Sequence, residues 1–299
     1  MAQGPPPKVT APAVPTGGLT PPHLPAIRVR QSVEYADIPA LSAAYATMQG
    51  RSESDNRSWV YWSEYHGFNR FDCWHHGTQG GQSFPYDLFL PWHRAYLLYF
   101  EYVVFAADFG EAALPWWDWT SAASHQTGIP AAFAAAESGG QPSPLASGPV
   151  PTSLRTNPPR TTRSPGSPSG LPTTQTINSI LALPSFEDFS NQLQNQHDNV
   201  HGWTGGDMGV IATSAFDPIF WAHHCQIDRL WYLWQLRHGV NNIPPNYLDL
   251  VLAPWNLTVK DVLSISTLGY TYGVSSIHLP VPTFSPVRLD GSQDQPSPS

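Results

Sequence analysis

Asp217-Pro-Ile-Phe-Trp-Ala-His-His-Cys-Gln-Ile-Asp-Arg-Leu-Trp231 sets two adjacent histidines, His223 and His224, inside an otherwise apolar helical run. An imidazole in a protein core is costly unless both ring nitrogens find partners. A metal ion is the partner that explains several histidines converging on one core. Upstream, His197-Asp-Asn-Val-His201 places two more histidines at i and i+4, which a helix turns onto one face. Together the two stretches make a candidate three-histidine metal site.

The 299 residues are 12% charged and 41% hydrophobic, enough for one sizeable core, and nothing requires a second domain. A net charge of -8, with fourteen scattered Lys and Arg, offers no basic field, so nucleic-acid binding is disfavoured. Two cysteines, Cys73 and Cys225, are too few for a disulfide framework, and each lies close to a histidine. No apolar run is long enough for a membrane span, and the start of the chain lacks a signal-peptide pattern. These features fit a cytoplasmic protein, one exported with a partner, or one whose signal has been removed, and choose none of them.

Residues 1–26 read as a flexible Pro-rich lead-in, 27–273 as one domain, and 274–299 as a loose tail rich in Pro and Ser. Helical spacing runs from Ile38 to Met48, from about Arg57 to His66, and from Pro91, suited to a first turn, to about Phe109. It resumes from Ser185 to Trp203 and again from Pro218 to Arg237, with Gly205-Gly206 and Gly239 as stops. Leu114-Pro-Trp-Trp-Asp-Trp119 reads as a buried loop wall. From Ala135 to about Thr176, Pro, Ser, Gly and Thr dominate around Arg155, Arg160 and Arg163, and the stretch reads as a long surface excursion.

Eight of the twelve histidines fall in two groups: His66, His75, His76 and His93, then His197, His201, His223 and His224. Nitrogen ligands without thiolates suit Cu, Zn, Fe or Ni, and the scarcity of carboxylates argues against Mg or Ca. One such group suggests zinc hydrolysis, whereas two on paired helices suggest a coupled dinuclear centre. A dizinc hydrolase would need a nucleophile and carboxylate ligands that these stretches lack.

The contexts of these histidines resemble the type 3 copper family of tyrosinases, catechol oxidases and haemocyanins. The matching pieces are Tyr65-His66-Gly67, Cys73-Trp-His75, Phe89-Leu-Pro-Trp-His93-Arg94-Ala-Tyr96, Leu114-Pro-Trp-Trp-Asp118-Trp-Thr120, His197-x-x-x-His201 with Gly205-Gly206-x-Met208, Asp217-Pro-Ile-Phe-Trp-Ala-His223-His224 and Leu268-Gly-Tyr270-Thr-Tyr272. They follow the family's order from about Arg28 to Tyr272. The resemblance implies an all-α fold, an antiparallel four-helix bundle holding two copper ions, with long Pro-rich loops and little β structure. It implies a bacterial-type phenol oxidase that uses dioxygen to convert o-diphenols to o-quinones, with o-hydroxylation of monophenols if it is a tyrosinase. The alternatives are a catechol oxidase or o-aminophenol oxidase without monophenol hydroxylation, and a haemocyanin-like oxygen carrier. Oxygen and a small phenol are the implied partners, with a copper-delivery protein as a further one. No cap domain is expected after Tyr272.

Carried over position by position, the first copper takes His66, His75 and His93, with His76 as the alternative to His75. Phe84 stands where the family usually places the middle ligand, so Gly77 to Tyr86 reads as an insertion. Cys73 is either joined to His75 by a thioether, as in some members, or is a buried thiol. The second copper takes His197, His201 and His224, with His223 and Asp228 supporting them, Asp228 by bonding an imidazole one turn after His224. Many members hold a water between a Glu ahead of the first ligand of this copper and an Asn just after it. Gln194 and Asp198 stand at those places here, so Asp198 is either the base, or the group orienting a water, or an acceptor for an imidazole N–H. Ile211 and Gly202 fall where side chains control substrate access, and both are modest in size. Arg30, or Arg28, is expected to pair with Tyr272.

Overall fold

The computed structural model describes residues 27–68, 73–105, 112–138, 140–240 and 242–273. The lead-in 1–26, the tail 274–299 and the expected last turn of the third helix lie outside the described residues. In chain order the helices are α1 (Ile38–Gln49), α2 (Trp59–Ser63), α3 (Phe89–Phe105), α4 (Ala122–Thr127), α5 (Ala131–Ala134), α6 (Thr174–Leu181), α7 (Phe186–Thr204), α8 (Ile211–Ser214) and α9 (Ile219–His238). The strands are short: β1 (Arg28–Arg30), β2 (Trp74–His75), β3 (Thr78–Gln79), β4 (Gln82–Ser83), β5 (Glu137–Ser138), β6 (Gln141–Pro142) and β7 (Tyr270–Tyr272). The fold is therefore mainly helical, as expected.

The central element is α9. Every residue from Ile219 to Trp231 is buried, so this part of the helix has no solvent face and its two histidines sit in the core. It packs against α3 and α6, and α3 also meets α7. Gly239, at φ +89°, stops α9 by turning its N–H back to the Gln235 carbonyl. At the start of α7 the Ser185 side chain accepts from the Asp188 N–H, and Glu187 and Asp188 meet the positive end of the helix dipole. α3 begins two residues before Pro91 because the Asp87 carboxylate accepts the Phe89 N–H. α2 is shorter than its spacing suggested. Ser58 caps it, and the chain leaves the helix before His66, which lies in the turn beyond.

Parallel pairing of β1 with β7 joins the two ends of the domain, with Arg30 opposite Tyr272. The Gly77 to Tyr86 insertion supplies β3 and β4, which extend β2 into an antiparallel meander. Trp116, Trp117 and Trp119 are fully buried and form the predicted wall.

The stretch from Ala135 to Thr176 is not a free excursion. It carries the β5–β6 hairpin, and its arginines staple it to the core. Arg163 pairs with Asp217 at 2.6 Å and donates to the Phe133 and Leu145 carbonyls, while Arg155 holds Asp207 through both carboxylate oxygens. Gly206, at φ +56°, lets the end of α7 approach this stretch, since a Cβ there would stand 2.2 Å from the Thr162 carbonyl oxygen. The sequence reading also passed over α6, whose Ile177, Ile180 and Leu181 face the core.

Candidate metal centre

Six imidazoles converge between α2, β2, α3, α7 and α9. His66 stands just beyond α2, His75 on β2, His93 in the first turns of α3, His197 and His201 on one face of α7, and His224 on α9. The His75 ring lies 5.1 Å from that of His66 and 5.3 Å from that of His93. The His93 and His224 rings stack at 4.6 Å, and His197 and His201 are 4.4 Å apart.

Four of these rings are oriented by their Nδ1 atoms. His66 Nδ1 lies 3.1 Å from the Ile211 carbonyl oxygen, His93 Nδ1 2.8 Å from that of Phe89, and His201 Nδ1 2.7 Å from that of Met208. His197 Nδ1 lies 2.9 Å from Asp198 Oδ1. Carbonyl and carboxylate oxygens only accept, so each Nδ1 must carry the proton and each Nε2 presents a bare lone pair. Those Nε2 atoms face inward. His66 Nε2 and His93 Nε2 are buried without a hydrogen-bond partner, and His224 Nε2 lies 3.2 Å from His197 Nε2 and 3.3 Å from His201 Nε2.

Inward lone pairs, two of them buried with no partner, favour a cation. Burial depresses the proton affinity of all six imidazoles, most of them well below the ordinary histidine value, and His201 falls to about 4. Protonation is therefore a poor way to satisfy them, and a metal is a good one. Donor atoms cluster as His66, His93 and His224, as His197, His201, His223 and His224, and as His66, Cys73 and His75. An all-nitrogen set outlined by carbonyl-anchored imidazoles suits copper or zinc.

Residues 56–237 match the common central domain of tyrosinase. The chain belongs to the tyrosinase family of type 3 copper proteins. Tyrosinase from Streptomyces antibioticus is 34% identical over 230 residues, covering 66% of this chain and 82% of that one. In three dimensions the chain is similar to a tyrosinase from Burkholderia thailandensis, with TM-score 0.67, 22% identity and 85% and 76% of the two chains covered. It is also similar to a functional unit of octopus hemocyanin, with TM-score 0.65, 23% identity and 82% and 68% covered. As a member of this family the protein is a copper oxidoreductase of the phenol oxidase type, its cofactor is a pair of copper ions, and it uses oxygen and phenolic substrates. No described helix is long and apolar enough to cross a membrane.

Other residues singled out in the sequence fall into place around this tyrosinase-family centre. His76 does not join the cluster: its Nε2 lies 2.7 Å from Asp198 Oδ2, with the side chain 41% exposed. Cys73 is buried beside His66 and His75 and is not in a disulfide. Gln194 is buried, accepts the His76 N–H at 2.7 Å and donates to Asp87. His223 is buried, its ring stacked on that of His197 at 5.2 Å. Ile211 anchors His66 and exposes its side chain, and Gly202 has open space where a Cβ would stand.

Asp228 corrects an expectation. It bonds no imidazole. Its carboxylate takes Arg94 Nε at 2.5 Å, Arg30 Nη1 at 3.2 Å, the Tyr270 hydroxyl at 2.7 Å and the Tyr272 hydroxyl. The predicted Arg30–Tyr272 pair is present at 3.0 Å inside this same cluster, and Glu101 completes it. Sequence reasoning did not find the backbone carbonyls of Ile211 and Met208 that orient two of the imidazoles. The Gly205-Gly206-x-Met208 motif was the available signal, since it fixes the turn that carries the Met208 carbonyl.

Proposed function

We propose that the protein is a tyrosinase in the full sense, hydroxylating monophenols and oxidising the resulting o-diphenols to o-quinones. His66, His75 and His93 hold the first copper, and His197, His201 and His224 the second. When bound, the copper pair supplies the chemistry with dioxygen. The chain's own residues do the rest. Carbonyl-anchored imidazoles hold their Nε2 atoms in place, so little reorganisation is needed when metal binds.

A phenol, with a pKa near 10, must lose its proton before it is a good ligand. Asp198 is the group we assign to this task, as base or as holder of a water, with Gln194 supporting it through His76. Its carboxylate adjoins His197 and is 49% exposed, so it is reachable from the mouth of the site. His223 supports the second copper site by packing on His197, and Cys73 forms a thioether to His75. A copper-delivery protein is a further proposed partner.

The observation that carries hydroxylation over plain diphenol oxidation is the mouth itself. Gly202 leaves open space beside His201, and Ile211, 54% exposed, is the modest side chain over His66. We place the entry of a phenol ring at these two residues. The same openness favours an enzyme over an oxygen carrier. Copper-loaded protein is offered a monophenol, an o-diphenol and an o-aminophenol while oxygen uptake is recorded. Uptake with the first two is expected. Uptake with the diphenol or aminophenol alone assigns a catechol oxidase or aminophenol oxidase instead, and no uptake with any overturns the enzyme reading.

A further inference from the structure

His76 is the one described non-glycine residue with positive φ, at +47°. Side chains tolerate that region poorly, and it persists only where the surroundings impose it. Here α7 imposes it twice. The His76 N–H donates to Gln194 Oε1 at 2.7 Å, and Gln194 is itself buried and tied to Asp87. One turn along, Asp198 receives the ring, with His76 Nε2 donating to Oδ2 at 2.7 Å. The other oxygen of the same carboxylate accepts from His197 Nδ1 at 2.9 Å.

The chain of contacts is therefore His76, Asp198, His197. It crosses from the strand that carries His75 to the helix that carries His197, whose two rings lie 5.8 Å apart. Asp198 is half-exposed, and a carboxylate held by one imidazole alone is free to swing into solvent. A second anchor on Oδ2 keeps Oδ1 on His197 Nδ1, which fixes that ring's tautomer and aims its Nε2 inward.

We propose that His76 is a positioning residue that braces the second-copper ligand His197 through the Asp198 carboxylate. The brace spans the two halves of the centre, from the residue just after β2 to α7. This inference rests on the reading of His197 as a copper ligand.

The test is copper retention by the full chain under graded chelator challenge, read by metal analysis, with thermal unfolding of the copper-free protein as a fold control. His76→Gly relieves the strained backbone, so the copper-free protein unfolds no earlier than the parent. It is nevertheless expected to hold one of its two coppers about tenfold more weakly, the lower end of the range for lost outer partners. His76→Gln, whose amide nitrogen reaches the carboxylate, restores most of that retention. Full retention in His76→Gly, or equal loss in His76→Gln and His76→Gly, overturns the brace. His197→Ala separates the two levels. If it keeps both coppers, the ligand reading fails and takes the brace with it. If it loses one while His76→Gly keeps both, the brace alone fails.

Discussion

Arg94 and Asp228 join the two innermost helices of the protein: the guanidinium on α3, one residue after His93, meets the carboxylate on α9, one turn after His224, at 2.5 Å. Both side chains are fully or almost fully buried. Arg94 also donates to the Val262 and Leu263 carbonyls and lies over the Trp231 ring at 3.6 Å, so its remaining donors and its flat face are used. Spacing between the His93 and His224 imidazoles thus depends on a charge pair just outside them.

Removing one side of such a pair leaves the other buried without compensation, which costs about 3–5 kcal/mol. Asp228→Ala strands Arg94, whereas Arg30 keeps Glu101. Urea unfolding of the copper-free variant is expected to show a loss of that size, and a change below about 1 kcal/mol would mean the cluster is not a structural clasp.

The same carboxyl makes stability depend on pH in a fixed direction. Burial pushes its pKa up, but the Arg94 and Arg30 guanidiniums outweigh burial and hold it below the ordinary value. A group with a depressed folded pKa contributes stability that is fully present above its unfolded value, near 3.9, and lost as pH falls through the folded one. The stability difference between parent and Asp228→Asn should be constant from about pH 7 to about pH 5 and shrink below about pH 4. A difference that grows on acidification would contradict the assignment.

Cys73 lies with His66 and His75 in one cluster of donor atoms. A thioether there replaces the thiol S–H and one ring C–H by a C–S bond, and dioxygen would take up the two electrons and two protons as hydrogen peroxide. Mass analysis of the peptide containing Cys73 and His75 from copper-loaded, aerated protein should show the loss of two hydrogens. The Cys73→Ser protein should show no such loss, and an unmodified parent peptide would reject the cross-link.

Asp198 is assigned to phenol deprotonation as well as to holding His197. Asp198→Ala is expected to depress monophenol hydroxylation by about 10²-fold, the lower range for a lost proton acceptor, while diphenol oxidation falls much less. Equal losses in both rates would restrict Asp198 to holding its imidazole.

Much of this arrangement was legible in the residue order, because buried histidines on helices are rare enough to declare themselves. α9 was readable to within a residue at each end. Between His75 and His76 the Cys73-Trp-His75 triplet favoured His75, with His76 as the alternative. The His75 ring faces the cluster, and His76, at φ +47°, turns to Asp198. Asp228 was misread because helical spacing reports which residues share a face, whereas its actual partners come from β1, α3 and β7, which are distant in sequence. The stretch from Ala135 to Thr176 looked loose because its order comes from ion pairs with Asp217, just ahead of α9, and with Asp207 in the turn after α7, which composition does not reveal.

The central claim is that the inward Nε2 atoms hold a copper pair. Metal analysis of protein loaded with excess copper and then freed of unbound ion tests it directly. Two copper ions per chain are expected, falling to one in His93→Ala, with the other held by His197, His201 and His224. A parent chain that retains a single ion, or that takes zinc in preference to copper, would contradict it.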